Sequence, residues 1–293
     1  LLNANENDYE IIHTHPFASR KVAVPLSQKL GIPIVLTIHG MYDDELNNYI
    51  DKIDAVFTVS EGIKDNLKKH VEKFHEKIMV IPNGVNRSLF KPNKFPFLLK
   101  RKTNEEINIS LVSRYDRDKK FIIQLFYKAL NYTVNNYCNK VKWTIVGDGT
   151  ELDSMKQKTD EIINGVKHEV NFVGWKSGKE LLKYYLKSDI VIAPGRCALE
   201  AMSCRKPVIA IGSKRYNGLI DQNNWMQGVY TNFGGLGEKI DGYVEGSIEK
   251  DLKLIIEEES IRKKLGDLGV FITSQFYDET EINRKIVKIY EIL

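Results

Sequence analysis

The sequence predicts an α/β protein made of two doubly wound, parallel-sheet domains. Three observations carry that expectation. Apolar runs of strand length alternate with amphipathic stretches of helix length along most of the chain, and strands this apolar belong to parallel sheets covered on both faces. The alternation stops over residues 83–106, which hold Pro92, Pro96 and a cluster of lysines, and then resumes. That is the pattern of two successive βα blocks joined by a linker. At 293 residues the chain is also long enough for two domains, each burying its own core.

The first block supplies strands at residues 9–14, 32–38, 55–59 and 77–81. Four strands are few for a doubly wound domain, and the chain opens on Leu1 rather than Met. The opening strands of this domain are therefore expected upstream of Leu1. The second block supplies strands at 107–113, 142–146, 170–173, 189–193 and 207–211, then helices at 247–258, 260–275 and 279–293. The domains are expected at 1–90 and 107–275, with a linker at 91–106 and a C-terminal helix at 276–293. The glycine-rich segment 212–243 reads either as a loop beside the ligand-binding edge or as an irregular excursion.

Composition narrows the function. The chain is 42% hydrophobic and 28% charged, values of an ordinary globular protein. No apolar run approaches the roughly 20 residues that a membrane-spanning helix needs. A net charge of +4 is too small to argue for nucleic acid and allows only a mild attraction to anionic substrates or lipid. Cys138, Cys197 and Cys204 have no metal-ligand spacing and are odd in number, which points to a reducing cytoplasm. The stretch Lys94-Phe-Pro-Phe-Leu-Leu-Lys-Arg-Lys102 fits a peripheral contact with an anionic membrane face, or a linker packing its apolar side chains on a domain.

The most informative run is residues 190–210, a buried strand, a Pro194-Gly195 turn, a helix carrying Glu200, and a second buried strand. Ligands of open α/β sheets bind where strand ends meet helix starts. The amides near Gly195 and Arg196 suit a phosphate there, and Glu200, about one and a half turns on, suits a sugar hydroxyl. The segment Ser113-Arg-Tyr-Asp-Arg-Asp-Lys-Lys120 also follows a strand. It reads as a pyrophosphate clamp of Arg114 with Lys119 or Lys120, against a plain solvated charge run. Gly147 and Gly149 end the next strand and permit close backbone approach. Trp175 ends another, positioned for stacking on a base or for packing. Asn83 and Gly84 form a turn after Ile81-Pro82. His13, His15 and His39 end strands of the first block, where they could bind hydroxyls or phosphate or shuttle a proton. A zinc pair is the rival, without a third ligand at suitable spacing.

Leu199-Glu-Ala-Met-Ser-Cys-Arg-Lys-Pro-Val-Ile-Ala210 resembles the donor-site signature of the retaining GT-B glycosyltransferases of family 4. So do Arg114-Tyr-Asp with its following lysines, Val146-Gly-Asp-Gly149, Val173-Gly-Trp175, Ile81-Pro-Asn-Gly-Val-Asn86 and His13-Thr-His15, in the right order along the chain. The resemblance implies two Rossmann-like domains facing a cleft, with the donor on the second and the acceptor on the first. It implies transfer of a sugar from a nucleotide-diphosphate donor, UDP- or GDP-linked, to a hydroxyl of a sugar, lipid or polysaccharide, with retention and with no metal or other cofactor. Polysaccharide or glycolipid synthesis at the inner face of the membrane is the setting it suggests.

By the same resemblance Arg114 and Lys120, with Lys119 adjacent, hold the donor phosphates, and Glu200 anchors the ribose. Gly147, Gly149 and Trp175 border the nucleotide, and His15 contacts the reacting sugar and acceptor. Asn83 and Gly84 sit where the first domain hands over to the linker. Two departures stand out. The family places another glutamate eight residues before the Glu200 position, where this chain has Ile192, and Arg196 and Arg205 replace an apolar residue and a glycine. Arg196 at the helix start could bind the diphosphate instead. The missing glutamate also fits a non-catalytic nucleotide-sugar-binding or partner subunit. A nucleotide-sugar epimerase on the same architecture would want acidic residues for proton work.

Overall fold

A computed structural model describes residues 9–93, 106–137, 140–166, 168–235 and 239–293. The chain divides into two compact units. Unit 1 comprises Leu1–Gly84, Tyr230–Asn232 and Glu279–Leu293, and unit 2 comprises Val85–Val229 and Phe233–Asp278.

Unit 1 holds a four-stranded parallel sheet in sequential order: β1 (Ile12–Thr14), β2 (Ile34–Ile38), β3 (Ala55–Thr58) and β4 (Ile78–Val80). Every residue of β2 and β3 is buried, which is why these segments read as unbroken apolar runs. Helix α1 (Ala18–Leu30) ends on Gly31, whose φ of 68° makes the left-handed cap that glycine adopts without strain. Helix α2 (Glu61–His70) starts on Ser60, whose side chain accepts from the Ile63 amide, and ends on Lys68, Lys69 and His70, which suit the negative end of the helix dipole.

Unit 2 holds six strands: β5 (Ile107–Val112), β6 (Val141–Val146), β7 (Glu169–Gly174), β8 (Ile190–Ala193), β9 (Val208–Ile211) and β10 (Tyr216–Leu219). Their spatial order is β10-β9-β8-β5-β6-β7, all parallel except β10. The chain runs outward from β5 through β6 to β7, then returns to lay β8 on the other side of β5. The order therefore reverses between β5 and β8, which is the switch point where doubly wound sheets leave a crevice. Trp143 and Phe126 meet edge-to-face at 5.3 Å in the core, the latter from helix α3 (Lys120–Tyr137). Helices α4 (Leu152–Ile163), α5 (Gly178–Lys187), α6 (Gly195–Ser203), α7 (Trp225–Tyr230), α8 (Ser247–Glu257) and α9 (Glu259–Phe276) follow in turn.

The final helix, α10 (Glu279–Tyr290), returns to unit 1, packing Ile282, Ile286 and Ile289 against Val35, Ala55 and Phe57. The division falls at Gly84/Val85 rather than at residue 90, because Val85 and Phe90 are buried among unit 2 residues. The Val85 amide donates to Tyr277 O at 2.7 Å, and Ser203 Oγ donates to Phe90 O at 2.5 Å. Residues 94–105 of the expected linker, with its basic and aromatic stretch, and Cys138 lie outside the described residues. Strand β10, unassigned from sequence, is a short edge strand with a register shift at Tyr216/Gly218 and Asn217-Gly218 in its middle, so it lacks an apolar run.

Candidate functional site

The switch point of unit 2 gathers most of the residues singled out from sequence. After β5 the chain turns through Ser113–Lys119, and this turn is locked from below. The Tyr115 side chain is fully buried, and its hydroxyl donates to the carbonyls of Leu111 (3.0 Å) and Val146 (3.1 Å). The Tyr115 amide donates to Asp148 O, and the Glu151 amide donates back to Tyr115 O, both at 2.8 Å. Gly147 and Gly149, with φ of 139° and 152°, exist for this contact. A Cβ on Gly147 would lie 1.8 Å from Ser113 O, and one on Gly149 2.4 Å from Tyr115 C. Their close approach is to the neighbouring loop, which fixes the backbone that carries Arg114.

Arg114 stands exposed above that platform, its Nε 3.0 Å from Asp116 Oδ2 and its Nη2 3.1 Å from Asp118 Oδ2. Lys119 Nζ lies 2.8 Å from the same Asp118 oxygen and donates to Ser213 Oγ at 2.5 Å, at the end of β9. Burial opposes charge on Asp118, but its hydrogen bond to Lys119 and the Lys119 and Arg114 charges prevail, so its pKa lies below the ordinary range. Lys120 points into solvent from the first turn of α3. It is Lys119, only partly exposed, that spans from the β5 turn toward the end of β9.

Across the switch point, β8 runs through Pro194 into α6. The Gly195 amide is not open for a phosphate, contrary to the sequence expectation: it donates to Phe233 O at 2.9 Å. The first helical hydrogen bond follows from Ala198 N to Pro194 O, which leaves Arg196 and Cys197 as the first-turn amides. Glu200 is buried at 6% exposure. Its Oε1 accepts from Arg196 Nε at 3.0 Å and its Oε2 from the Tyr185 hydroxyl at 3.3 Å. Desolvation raises the Glu200 pKa, against the opposing hydrogen bonds and charge of Arg196 and the Tyr185 hydroxyl. A desolvated carboxylate with two donors has acceptor capacity left for sugar hydroxyls. Arg196, placed on the diphosphate from sequence, is bound here to Glu200 one turn away.

Trp175 follows β7 and is 68% exposed, so it is not a packing residue. Gly84 is accounted for by packing, since a Cβ there would lie 2.7 Å from Glu279 Cα; Asn83 sits half-buried beside it. Ser213 and Tyr185 were not singled out from sequence. A hydroxyl at the end of a strand next to the switch point was the available signal for Ser213; none existed for Tyr185, which reaches Glu200 from another helix.

Unit 1 gathers the three histidines at the ends of β1 and β2. His13 Nε2 lies 2.6 Å from Thr37 Oγ1, and its Nδ1 is hydrogen-bonded to the Tyr290 hydroxyl. Desolvation, then the His15 and His39 charges, lower the His13 pKa to about 4. His15 Nδ1 and His39 Nε2 are 3.1 Å apart, one imidazole donating to the other. Desolvation and the His15 charge lower the His39 pKa as well. Among the described residues no group of three or more His, Cys, Asp or Glu is arranged to hold a metal ion.

A concave surface at the opposite edge of the unit 2 sheet is lined by Asn108, Lys142, Glu169 and Asp189, at strand starts. It is spanned by ion pairs from Lys142 to Glu106 (2.5 Å) and Glu169 (2.8 Å) and contains none of the residues above. Among the described residues no helix is long and apolar enough to cross a membrane.

Two parallel-sheet α/β units, shared with solved glycosyltransferase structures, give the chain a GT-B fold. Residues 2–89 match the family model Glycosyltransferase Family 4, and residues 95–266, more than half of the chain, match Glycosyl transferases group 1; the chain belongs to this family. It is 26% identical over 231 residues to the uncharacterized glycosyltransferase MJ1607 of Methanocaldococcus jannaschii, a match covering 69% of this chain and 57% of that protein. A second protein of that organism, the uncharacterized glycosyltransferase MJ1178, is 27% identical over 313 aligned positions, covering 97% of this chain and 76% of that one. The crystal structure of Anabaena Alr3699/HepE in complex with UDP and glucose shares the fold, with a TM-score of 0.71 at 20% identity over 97% of this chain and 78% of that one.

Proposed function

We propose that the protein transfers a sugar from a nucleotide-diphosphate donor, UDP- or GDP-linked, to an acceptor hydroxyl, with retention of anomeric configuration and without a metal. The observation that carries this reading is the convergence at the switch point of Arg114 and Lys119 on one side and Glu200 on the other. Arg114 and Lys119 stabilise the departing diphosphate, supplying the positive charge that a divalent ion would otherwise bring. Lys119 is preferred to Lys120 in this role because it is the lysine that spans toward β9. Glu200 accepts from the ribose hydroxyls, and Arg196 moves from Glu200 to the diphosphate as the donor enters. His15 contacts the reacting sugar and the acceptor. The free thiols of Cys197 and Cys204 fit a reducing, cytoplasmic setting.

The test is turnover of UDP- and GDP-linked hexoses with candidate sugar and lipid acceptors, in chelator, with the anomeric proton of the product followed by NMR. Product of unchanged anomeric configuration, lost in Arg114→Ala, is the expected result; an inverted product or a requirement for divalent metal contradicts it. The second reading is a nucleotide-sugar-binding subunit without turnover, favoured by Ile192 at the position of the family's other glutamate. Donor binding with no product for any acceptor supports that reading.

A further inference from the structure

Phe17 combines two features that rarely coincide. Its backbone stands at φ 64°, ψ −123°, a region that side chains other than glycine avoid. The residue is 57% exposed, so no core packing compensates for the strain. The conformation is imposed by Asp44, a buried carboxylate that accepts from the Phe17 amide (3.1 Å), Arg20 Nε (2.9 Å) and the Tyr49 hydroxyl (2.8 Å). The Arg20 guanidinium in turn lies 4.2 Å from the centre of the Tyr49 ring.

The strained ring is paired. Phe17 and Tyr42 have ring centroids 4.9 Å apart, tilted by 45°. Tyr42 is itself fixed: its ring lies where a Cβ on Gly40 would be, 2.8 Å away, and its hydroxyl accepts from the His39 amide at 3.3 Å. The pair thus sits two residues along from His15 and three from His39, the hydrogen-bonded imidazoles. Along α1 Phe17 is followed by Ala18, Ser19, Arg20, Lys21 and Val22, of which Arg20 is turned in to Asp44 and Val22 is exposed.

We infer that Phe17 and Tyr42 form a stacking platform for a pyranose ring of the acceptor, with His15 and His39 beside it for the hydroxyls. The inference rests on the glycosyltransferase reading and narrows its acceptor to a saccharide. A pyranose has a face of C–H groups and a rim of hydroxyls. An aromatic face meets the first through dispersion and its negative quadrupole, and imidazole nitrogens meet the second. An aliphatic chain would use the rings and leave the imidazoles facing a partner that cannot hydrogen-bond.

The test uses saturation-transfer NMR with the methyl α-pyranosides of glucose, galactose and mannose and with maltose. The wild type is compared with Phe17→Gly, which suits the backbone and removes the ring, and Phe17→Trp, which keeps an aromatic face. At least one saccharide is expected to bind the wild type and Phe17→Trp, and to bind Phe17→Gly about tenfold more weakly. Phe17→Gly is expected to melt no lower than the wild type, which separates loss of the platform from loss of the fold. Three results would each overturn the inference: no saccharide binding by the wild type, equal binding by Phe17→Gly, or Phe17-dependent binding to phosphatidylcholine/phosphatidylglycerol vesicles in place of saccharides. Nucleotide binding measured on the same samples reports the donor site, so saccharide binding without nucleotide binding would count against the donor reading alone.

Discussion

The clamp of unit 2 and the histidine corner of unit 1 both stand at the C-terminal ends of parallel strands, yet they are held in opposite ways. In the clamp every cation already has an anion: Arg114 with Asp116 and Asp118, Lys119 with Asp118, Arg196 with Glu200. Its backbone is pinned by glycines that leave no room for a side chain. In the corner burial and the neighbouring His15 lower the pKa values of His13 and His39, the His39 charge adding to the effect on His13. The adjoining turn holds backbone strain under a single buried carboxylate. The difference teaches what each region is suited to bind. Cations that already hold carboxylates can turn to phosphate oxygens only in competition with those carboxylates, whereas a corner of imidazoles and exposed rings suits hydroxylated groups.

The largest expected effect breaks the corner. Asp44→Ala leaves Arg20 and the Phe17 amide without their buried acceptor. It should destabilise unit 1 by about 3 kcal/mol, as removal of one partner of a buried ion pair does, seen as an early transition in thermal unfolding. An unchanged melting curve would show that Asp44 is not the anchor.

Breaking the clamp comes next. Arg114→Ala should lower kcat/KM by about 100-fold, the order found when one donor to a developing negative charge is removed. If KM alone rose, Arg114 would be a binding residue with no part in stabilising the departing phosphate.

The lowered pKa values of His13 and His39 give a pH signature. The folded-state pKa of His13 is about 4 against an ordinary value of 6.5, so the unfolded chain binds more protons between these limits. The His13 contribution to stability is thus present above pH 6.5 and is lost as the pH falls toward 4. His39 acts in the same direction. Melting temperatures should fall over this range, less steeply in His13→Gln, and equal slopes would refute the assignment.

The smallest effect sharpens the comparison. Asp118→Asn removes the internal anion shared by Arg114 and Lys119 and should tighten binding of the free nucleoside diphosphate by a few-fold, roughly the worth of one partly exposed ion pair. Weaker binding in this variant would mean that Asp118 orients the clamp instead of competing with phosphate.

Much of this was legible in the sequence because parallel strands buried on both faces leave long apolar runs, and their ends locate Arg114, Glu200 and His15. The glycines at 147 and 149 were legible as close-approach positions, but what approaches them is a loop from another strand. That Gly195 spends its amide on Phe233 was hidden, since the acceptor lies far along the chain in a segment without periodicity. Lys119 and Lys120 are neighbours in sequence, and only the helix start, which turns Lys120 into solvent, separates them. Asp44 gathers its donors from two loops and a helix, a convergence with no linear pattern.

The central claim is that the switch point of unit 2 binds a nucleoside diphosphate through the clamp and Glu200. Calorimetric titration of UDP, GDP and ADP into the wild type and Glu200→Ala tests it most directly. Binding of one nucleotide by the wild type, with at least a tenfold loss in Glu200→Ala, about the 1.4 kcal/mol of one good hydrogen bond to a charged group, is the predicted result. Binding of none of them, or equal binding by the variant, would contradict the account.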